Sequence, residues 1–299
     1  MVALCICLIG ISVSFIEKTP YVKDGNESQN GTYEIMTAYV PNVEMFVERV
    51  SLFKDGLIAW SREFSGKRHY IVSNNGTAVS TTPIAENAVL DFYDARGISQ
   101  NSVKIPFPRG GGFTKNGEFF FILSGTEGLY MFDKAGAVVN NFGIYPSYAF
   151  SEDGRVVALI SKNSLTVKVD NIPVAEMSVP SAHVRSVVMS DDGKILALID
   201  NQYICVYDLI AGAQLYQRQI KSPTTLAISP NGTLIAIKCE ERNITSHVTT
   251  YLFNLEGELL WQWSYKFSRE YETVHRVDIT DDNELHIYST DHLFRFSIR

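Results

Sequence analysis

Between His183 and Tyr216 the chain reads HVRSVVMSDDGKILALIDNQYICVYDLIAGAQLY. Four short apolar runs, VRSVVMS, KILALID, YICVYDL and AQLY, are separated by Ser190-Asp191-Asp192-Gly193, by Asn201-Gln202 and by an Ala-Gly step. Apolar runs of this length bounded by Gly, Asn and Asp predict strands joined by tight turns. Asn and Asp tolerate a positive φ there, and Gly takes it without a Cβ penalty.

The unit recurs along the chain. Equivalent turns are Ser28-Gln29-Asn30-Gly31, Ser73-Asn74-Asn75-Gly76, Thr114-Lys115-Asn116-Gly117 and Ser151-Glu152-Asp153-Gly154, then Ser229-Pro230-Asn231-Gly232 and Thr280-Asp281-Asp282-Asn283. A second marker, an aromatic residue or Val followed by a polar one, closes the third strand of each unit. It stands at Phe53-Lys54, Tyr93-Asp94, Phe132-Asp133, Val169-Asp170, Tyr207-Asp208, Phe253-Asn254 and Phe296-Ser297. Both markers repeat about every 40 residues, the signature of a β-propeller with four strands per blade. The segment AENAVLDFYDARG has the Ala and Leu content of a helix, but Tyr93-Asp94 keeps the common register and makes it a strand.

The pattern His-x-x-Ser-Val-Val-x-Ser-Asp-Asp-Gly-Lys-Ile-Leu-Ala, followed by Ile-Cys-Val-Tyr-Asp, resembles a WD-repeat unit. His183 stands near that family's Gly-His position, and Tyr207-Asp208 stands where the family places Trp-Asp. The resemblance is clear from about Phe113 to Phe253. No unit has the Trp-Asp pair itself and most lack the histidine, so looser WD-like, periplasmic and quinoprotein-like propellers are resembled as well. Trp60, Trp261 and Trp263 fall on fourth strands and are expected to pack between blades, similar to the tryptophans of quinoprotein-like blades.

Seven units predict an all-β, seven-bladed propeller of four-stranded antiparallel blades. The last unit supplies VHRVDIT, ELHIYST and HLFRFSI and lacks a fourth strand. An open sheet edge exposes unpaired backbone groups, so an N-terminal strand drawn from residues 2–18 is expected to complete that blade. Residues 1–14, MVALCICLIGISVS, also match a signal-peptide core with cleavage after Ser14, although no basic residue precedes the core. Residues 15–299 are read as a single propeller domain. The first strand of the first unit should precede Ser28, where YVKDGNE is too polar to read as one.

Composition adds little to this and removes some alternatives. A formal net charge of −7 among 299 residues argues against a nucleic-acid binder that neutralises phosphates. The apolar N-terminal run is too short to span a bilayer, so no integral membrane span is expected. Four cysteines without a CxxC pair predict buried hydrophobes rather than a disulfide or zinc framework. Three of the five Asn-x-Ser/Thr sequons, at Asn30, Asn75 and Asn231, are Asn-Gly-Thr turns that the repeat itself requires; the others are at Asn26 and Asn243.

No stretch carries a catalytic signature. The six histidines form no HExxH or paired spacing, and His275, His286 and His292 meet only if blade strands bring them together. No Gly-x-Ser-x-Gly elbow occurs, and the acid pairs Asp191-Asp192 and Asp281-Asp282 belong to turns. Gly110-Gly111-Gly112 lacks the lysine and following helix of a phosphate loop and is read as a flexible turn in a loop. No catalytic residue, metal ligand or cofactor is expected.

Departures from a repeat are where binding surfaces sit. Three stand out: the polar insertion EERNITSH from Glu240 to His247, KFSREYET from Lys266 to Thr273, and PNVEMF from Pro41 to Phe46. In a WD-like propeller all three emerge on one rim together with His183 and His292. The expected function is a non-enzymatic, monomeric binding module that takes a protein, or a glycan, through that rim. The residues expected to carry it are His183, Glu240, Glu241, Arg242, Arg269, Glu270 and His292. The alternative is a propeller enzyme of lactonase or quinoprotein-like type, with a metal or cofactor at the central channel. A cleaved N-terminus would make the protein secreted or periplasmic, and a retained one cytoplasmic or anchored in an envelope complex.

Overall fold

A computed structural model describes residues 6–7, 13–20, 26–27, 31–39, 47–82, 86–180, 183–242, 246–267, 274–290 and 292–299. Among them every regular element is a β-strand, arranged in seven antiparallel sheets. Taken as blades, the sheets cover 26–65, 69–105, 108–141, 147–178, 186–219, 223–266 and 274–298. The architecture is that of a seven-bladed β-propeller. The chain divides into two compact units, Lys23–Tyr145 with Glu152–Gly154, and Met1–Val22 with Pro146–Ser151 and Arg155–Arg299. The first holds blades 1 to 3 and the second blades 4 to 7.

Blade 5 shows why these sequences form these strands. Its second strand, Ile195–Ile199, is buried along its whole length. Successive side chains point to opposite faces. Leu196 and Leu198 therefore join the cluster shared with blade 4, while Ile195, Ala197 and Ile199 join the cluster shared with blade 6. A strand covered on both faces reads as a continuous apolar run rather than an alternating one. The fourth strand, Ala213–Gln219, is covered on one face only and is mostly exposed.

The Ser/Thr-x-Asn/Asp-Gly turns are small hydrogen-bonded boxes. In Ser190–Gly193 the buried Ser190 hydroxyl donates to Asp192 Oδ1 at 2.7 Å and accepts from Ile195 N–H at 3.0 Å, and Gly193 N–H donates to Ser190 O at 2.9 Å. Thr114 and Ser229 repeat the same contacts with Asn116 and Asn231. The second marker works likewise at the third-to-fourth turn. Asp208 Oδ1 accepts the Ile210 and Ala211 N–H groups, and Asp133 Oδ1 accepts those of Ala135 and Ala137.

Closure follows the expectation. Val13–Pro20 is the fourth strand of blade 7, running from Val13 opposite Ile298 to Pro20 opposite His292. It is an edge strand, where a sheet tolerates Pro. Ile6–Cys7 adds a fifth strand to blade 6, opposite Gln262 and Trp261. Cleavage after Ser14 would remove this fifth strand and the Val13 and Ser14 pairs. The first strand of blade 1 is the two-residue Asn26–Glu27, polar because backbone pairing with Glu34 and Ile35 is what makes it a strand.

Ala88–Tyr93 is a strand, as its register demanded. Trp60 packs over Gly97 of blade 2, and Trp261 and Trp263 pack on Phe296 of blade 7 at 5.0 and 5.6 Å between ring centroids. The Gly110-Gly111-Gly112 run corrects the expectation of a loop. It lies within Pro108–Phe113, the first strand of blade 3, with a bulge between Arg109 and Gly111. Pairing with Ile122 and Phe121 holds Gly111 and Gly112 in the strand without any side chain of their own. Cys205 and Cys239 are both buried, and burial pushes Cys205 up to about 12.

Candidate functional site

In the unit of blades 4 to 7, the turns between first and second strands gather at one end. Asp191 N–H donates to Pro230 O at 2.9 Å, and Asn231 and Asn283 line one shallow cleft. The hairpins between second and third strands emerge together at the opposite end. His183 is exposed there, just before the first strand of blade 5, where Arg185 N–H donates to Ile199 O. His292 starts the third strand of blade 7. Its backbone is clamped to the Ser289 hydroxyl, which donates to His292 O at 2.9 Å and accepts from its N–H at 3.0 Å.

Blade 6 dominates this end. Its second and third strands, Leu234–Arg242 and Ser246–Asn254, have nine residues each, against five and six in blade 5. Pairing continues through Glu240 opposite Val248 and Glu241 opposite His247 to Arg242 opposite Ser246. The expected loop from Glu240 to His247 is thus a β-hairpin arm. Beyond the core, backbone pairing no longer needs apolar side chains, so polarity alone is a poor guide to where a strand ends. His247 and Lys266, opposite one another on the third and fourth strands, are both exposed.

Glu240 is a correction. Its carboxylate is buried, 3.1 Å from Lys238 Nζ, and both side chains are 5% exposed. Leu234, Ala236, Lys238 and Glu240 share the face turned to blade 7, where Lys238 Nζ also donates to Val274 O at 2.5 Å. Glu240 is therefore an interblade residue rather than a rim contact. Arg269, Glu270 and 41–46 lie outside the described residues.

The comparisons with known proteins bear on this framework. No protein-family model matches the chain, and no curated protein matches it in sequence. A solved structure of hydrazine synthase from Kuenenia stuttgartiensis is similar over 73% of this chain and 72% of that chain, with a TM-score of 0.53 and 18% identity. What they share is the fold.

The three histidines of blade 7 are engaged separately. His286 donates to Glu284 Oε2 at 2.9 Å, His275 meets Thr290 Oγ1 at 3.2 Å, and His292 packs on Phe294. His286 lies opposite Arg295, so strand alternation puts it on the other face from His292. Hydrogen bonds from His286 and then Arg295 hold the Glu284 carboxyl below its ordinary value of 4.5. Its contribution to stability is therefore complete above pH 4.5 and is lost as the pH falls through the lower folded value. Glu284→Gln should lose less stability than the parent between about pH 5 and 3, read from urea midpoints.

Two polar clusters escaped the sequence reading. One is the Lys238–Glu240 pair, whose signal is a Lys and a Glu two apart at the end of the apolar run LIAI. The other joins blades 1 and 2, where Arg68 bonds Asp91 and the Ser80 hydroxyl, and Ser102 donates to Asp91 Oδ1 at 2.7 Å. Ser80, Asp91 and Ser102 are register partners across three strands, a row that sequence spacing does not reveal. No group of three His, Cys, Asp or Glu side chains fit to hold a metal occurs among the described residues. Among them, too, no helix is long and apolar enough to cross a membrane.

Proposed function

We propose that this chain is a non-enzymatic binding module of the WD-repeat-like kind, which captures a protein partner through the hairpin end of blades 5 to 7. The observation that carries this reading is the long arm of blade 6, which extends polar, paired backbone past the core. A hairpin that continues past Glu240 and is held by cross-strand bonds offers a preformed contact surface, and preformed loops cost less to order on binding. Glu241, Arg242, His247 and Lys266 supply its charge and hydrogen-bonding groups. His183, His292, Arg269 and Glu270 complete the rim in this reading.

The test uses the tagged full chain and the double variant Glu241→Lys/Arg242→Glu as baits in extract of the native host. At least one protein enriched by the parent should fall by about tenfold with the variant, with an unchanged Tm as the control for folding. Glu240 is left intact, since its reversal would disrupt blade packing. Unchanged capture would remove the arm from consideration. A stoichiometric divalent metal in protein purified without chelators would favour the propeller-enzyme reading instead.

A further inference from the structure

The glycine run of blade 3 has a role that neither the fold nor the rim uses. The strand bulge leaves Gly110 between the paired Arg109 and Gly111, with a φ of +55° and no atom within 4 Å of where a Cβ would stand. At Gly111 a Cβ would lie 2.8 Å from Phe121 O and 3.1 Å from the Phe120 ring. Any side chain at 111 would sit on Phe120 and Ile122. Its absence leaves a cleft of about 230 Å³ between blades 2 and 3.

One wall is built from two register rows of blade 2, His69 opposite Thr81 and Ile71 opposite Val79. The other is Phe120 and Ile122 beneath the glycines. The floor is apolar: Val79, Phe120 and Ile122 are at most 3% exposed and belong to one core cluster. The mouth is polar, formed by His69, Thr81 and Thr82. Thr81 Oγ1 donates to Thr82 O at 3.0 Å and keeps its lone pairs, while Thr82 Oγ1 accepts Val89 N–H at 2.9 Å and keeps its proton. The exposed His69 ring makes no hydrogen bond among the described residues. Apolar cavities of about 150 Å³ already accommodate benzene.

We infer that this cleft binds a neutral, single-ring aromatic ligand whose one hydroxyl or N–H points at His69, Thr81 and Thr82. The ring lies on the floor of Val79, Phe120 and Ile122, between Ile71 and the glycine strand. An anion or cation is disfavoured because no Asp, Glu, Lys or Arg lines the cleft. The site is independent of the rim, since its residues all belong to the unit of blades 1 to 3.

The probes are p-cresol and toluene, titrated into the full-length protein while the His69 ring and the Ile71 and Ile122 methyl signals are followed by NMR. Saturable p-cresol shifts at all three residues are expected, with toluene binding about tenfold more weakly for want of the hydrogen bond. His69→Ala, at an exposed position, should narrow that difference without altering the fold. Ile71→Phe, which fills the cleft, should abolish binding of both. Absence of saturable shifts up to about 5 mM p-cresol, or equal binding of the two probes by the parent, would overturn the assignment. So would p-cresol binding that Ile71→Phe leaves intact.

Discussion

Lys238→Ala is expected to destabilise the protein by about 3–5 kcal/mol, because it takes the Lys238 ammonium away from the buried Glu240 carboxylate. Lys238 Nζ touches both Glu240 Oε2 and the Val274 carbonyl, so one side chain ties the second strand of blade 6 to the first strand of blade 7. Removing it also deletes a long alkyl stem from a packed interface. The double variant Lys238→Met/Glu240→Leu should recover most of the loss, since apolar replacement of a whole buried pair is often neutral. Urea denaturation of the three proteins checks this. A single-variant cost below about 1 kcal/mol would mean that Glu240 reaches water and behaves as an ordinary surface ion pair.

Gly193→Val should cost about 2–5 kcal/mol, from two separable causes. Gly193 has a φ of +73°, where a β-branched side chain carries a penalty of about 1–2 kcal/mol. A Cβ there would also lie 2.6 Å from Val156 Cγ2, so the turn of blade 5 would be pushed off the second strand of blade 4. That overpacking adds about 1–3 kcal/mol. Gly212 provides the comparison: its φ is +62°, but a Cβ would meet only the Ala175 Cβ, at 4.0 Å. Gly212→Ala should therefore cost about 1 kcal/mol and Gly193→Ala distinctly more. Equal losses at the two sites would show that crowding against Val156 is relieved at little cost.

These glycines explain why the fold could be read from the sequence and most of the site could not. At each Ser-x-Asp-Gly turn a hydroxyl, a carboxylate and a positive φ must coincide, so the turn leaves a fixed residue pattern. Two such patterns per blade gave the blade count, the strand order and the need for a closing strand. Strands held by backbone bonding alone leave no such trace. Asn26–Glu27, Gly110–Gly112 and the Glu241–Arg242 end of the blade 6 arm are all of that kind, and each read as a loop. Glu240 was misjudged for a related reason: a polar residue beyond an apolar run looks exposed until its partner, two residues back on the same face, is recognised. The cleft beside Gly111 depends on a missing side chain between two blades, which is a property of tertiary packing.

The pairing of Val13–Pro20 with His292–Ile298 also sets the order of events during synthesis. The two strands come from opposite ends of the sequence, so the last blade cannot be completed until His292–Ile298 has left the ribosome. At about 5–20 residues per second, the first strand waits roughly 15–60 s for its partner. During that interval a β-strand with unsatisfied backbone groups is free to pair elsewhere, and the nascent chain is open to chaperones and to self-association. Among the described strand pairs this is also the one of greatest sequence separation, so it is expected to form after the blades between its two strands.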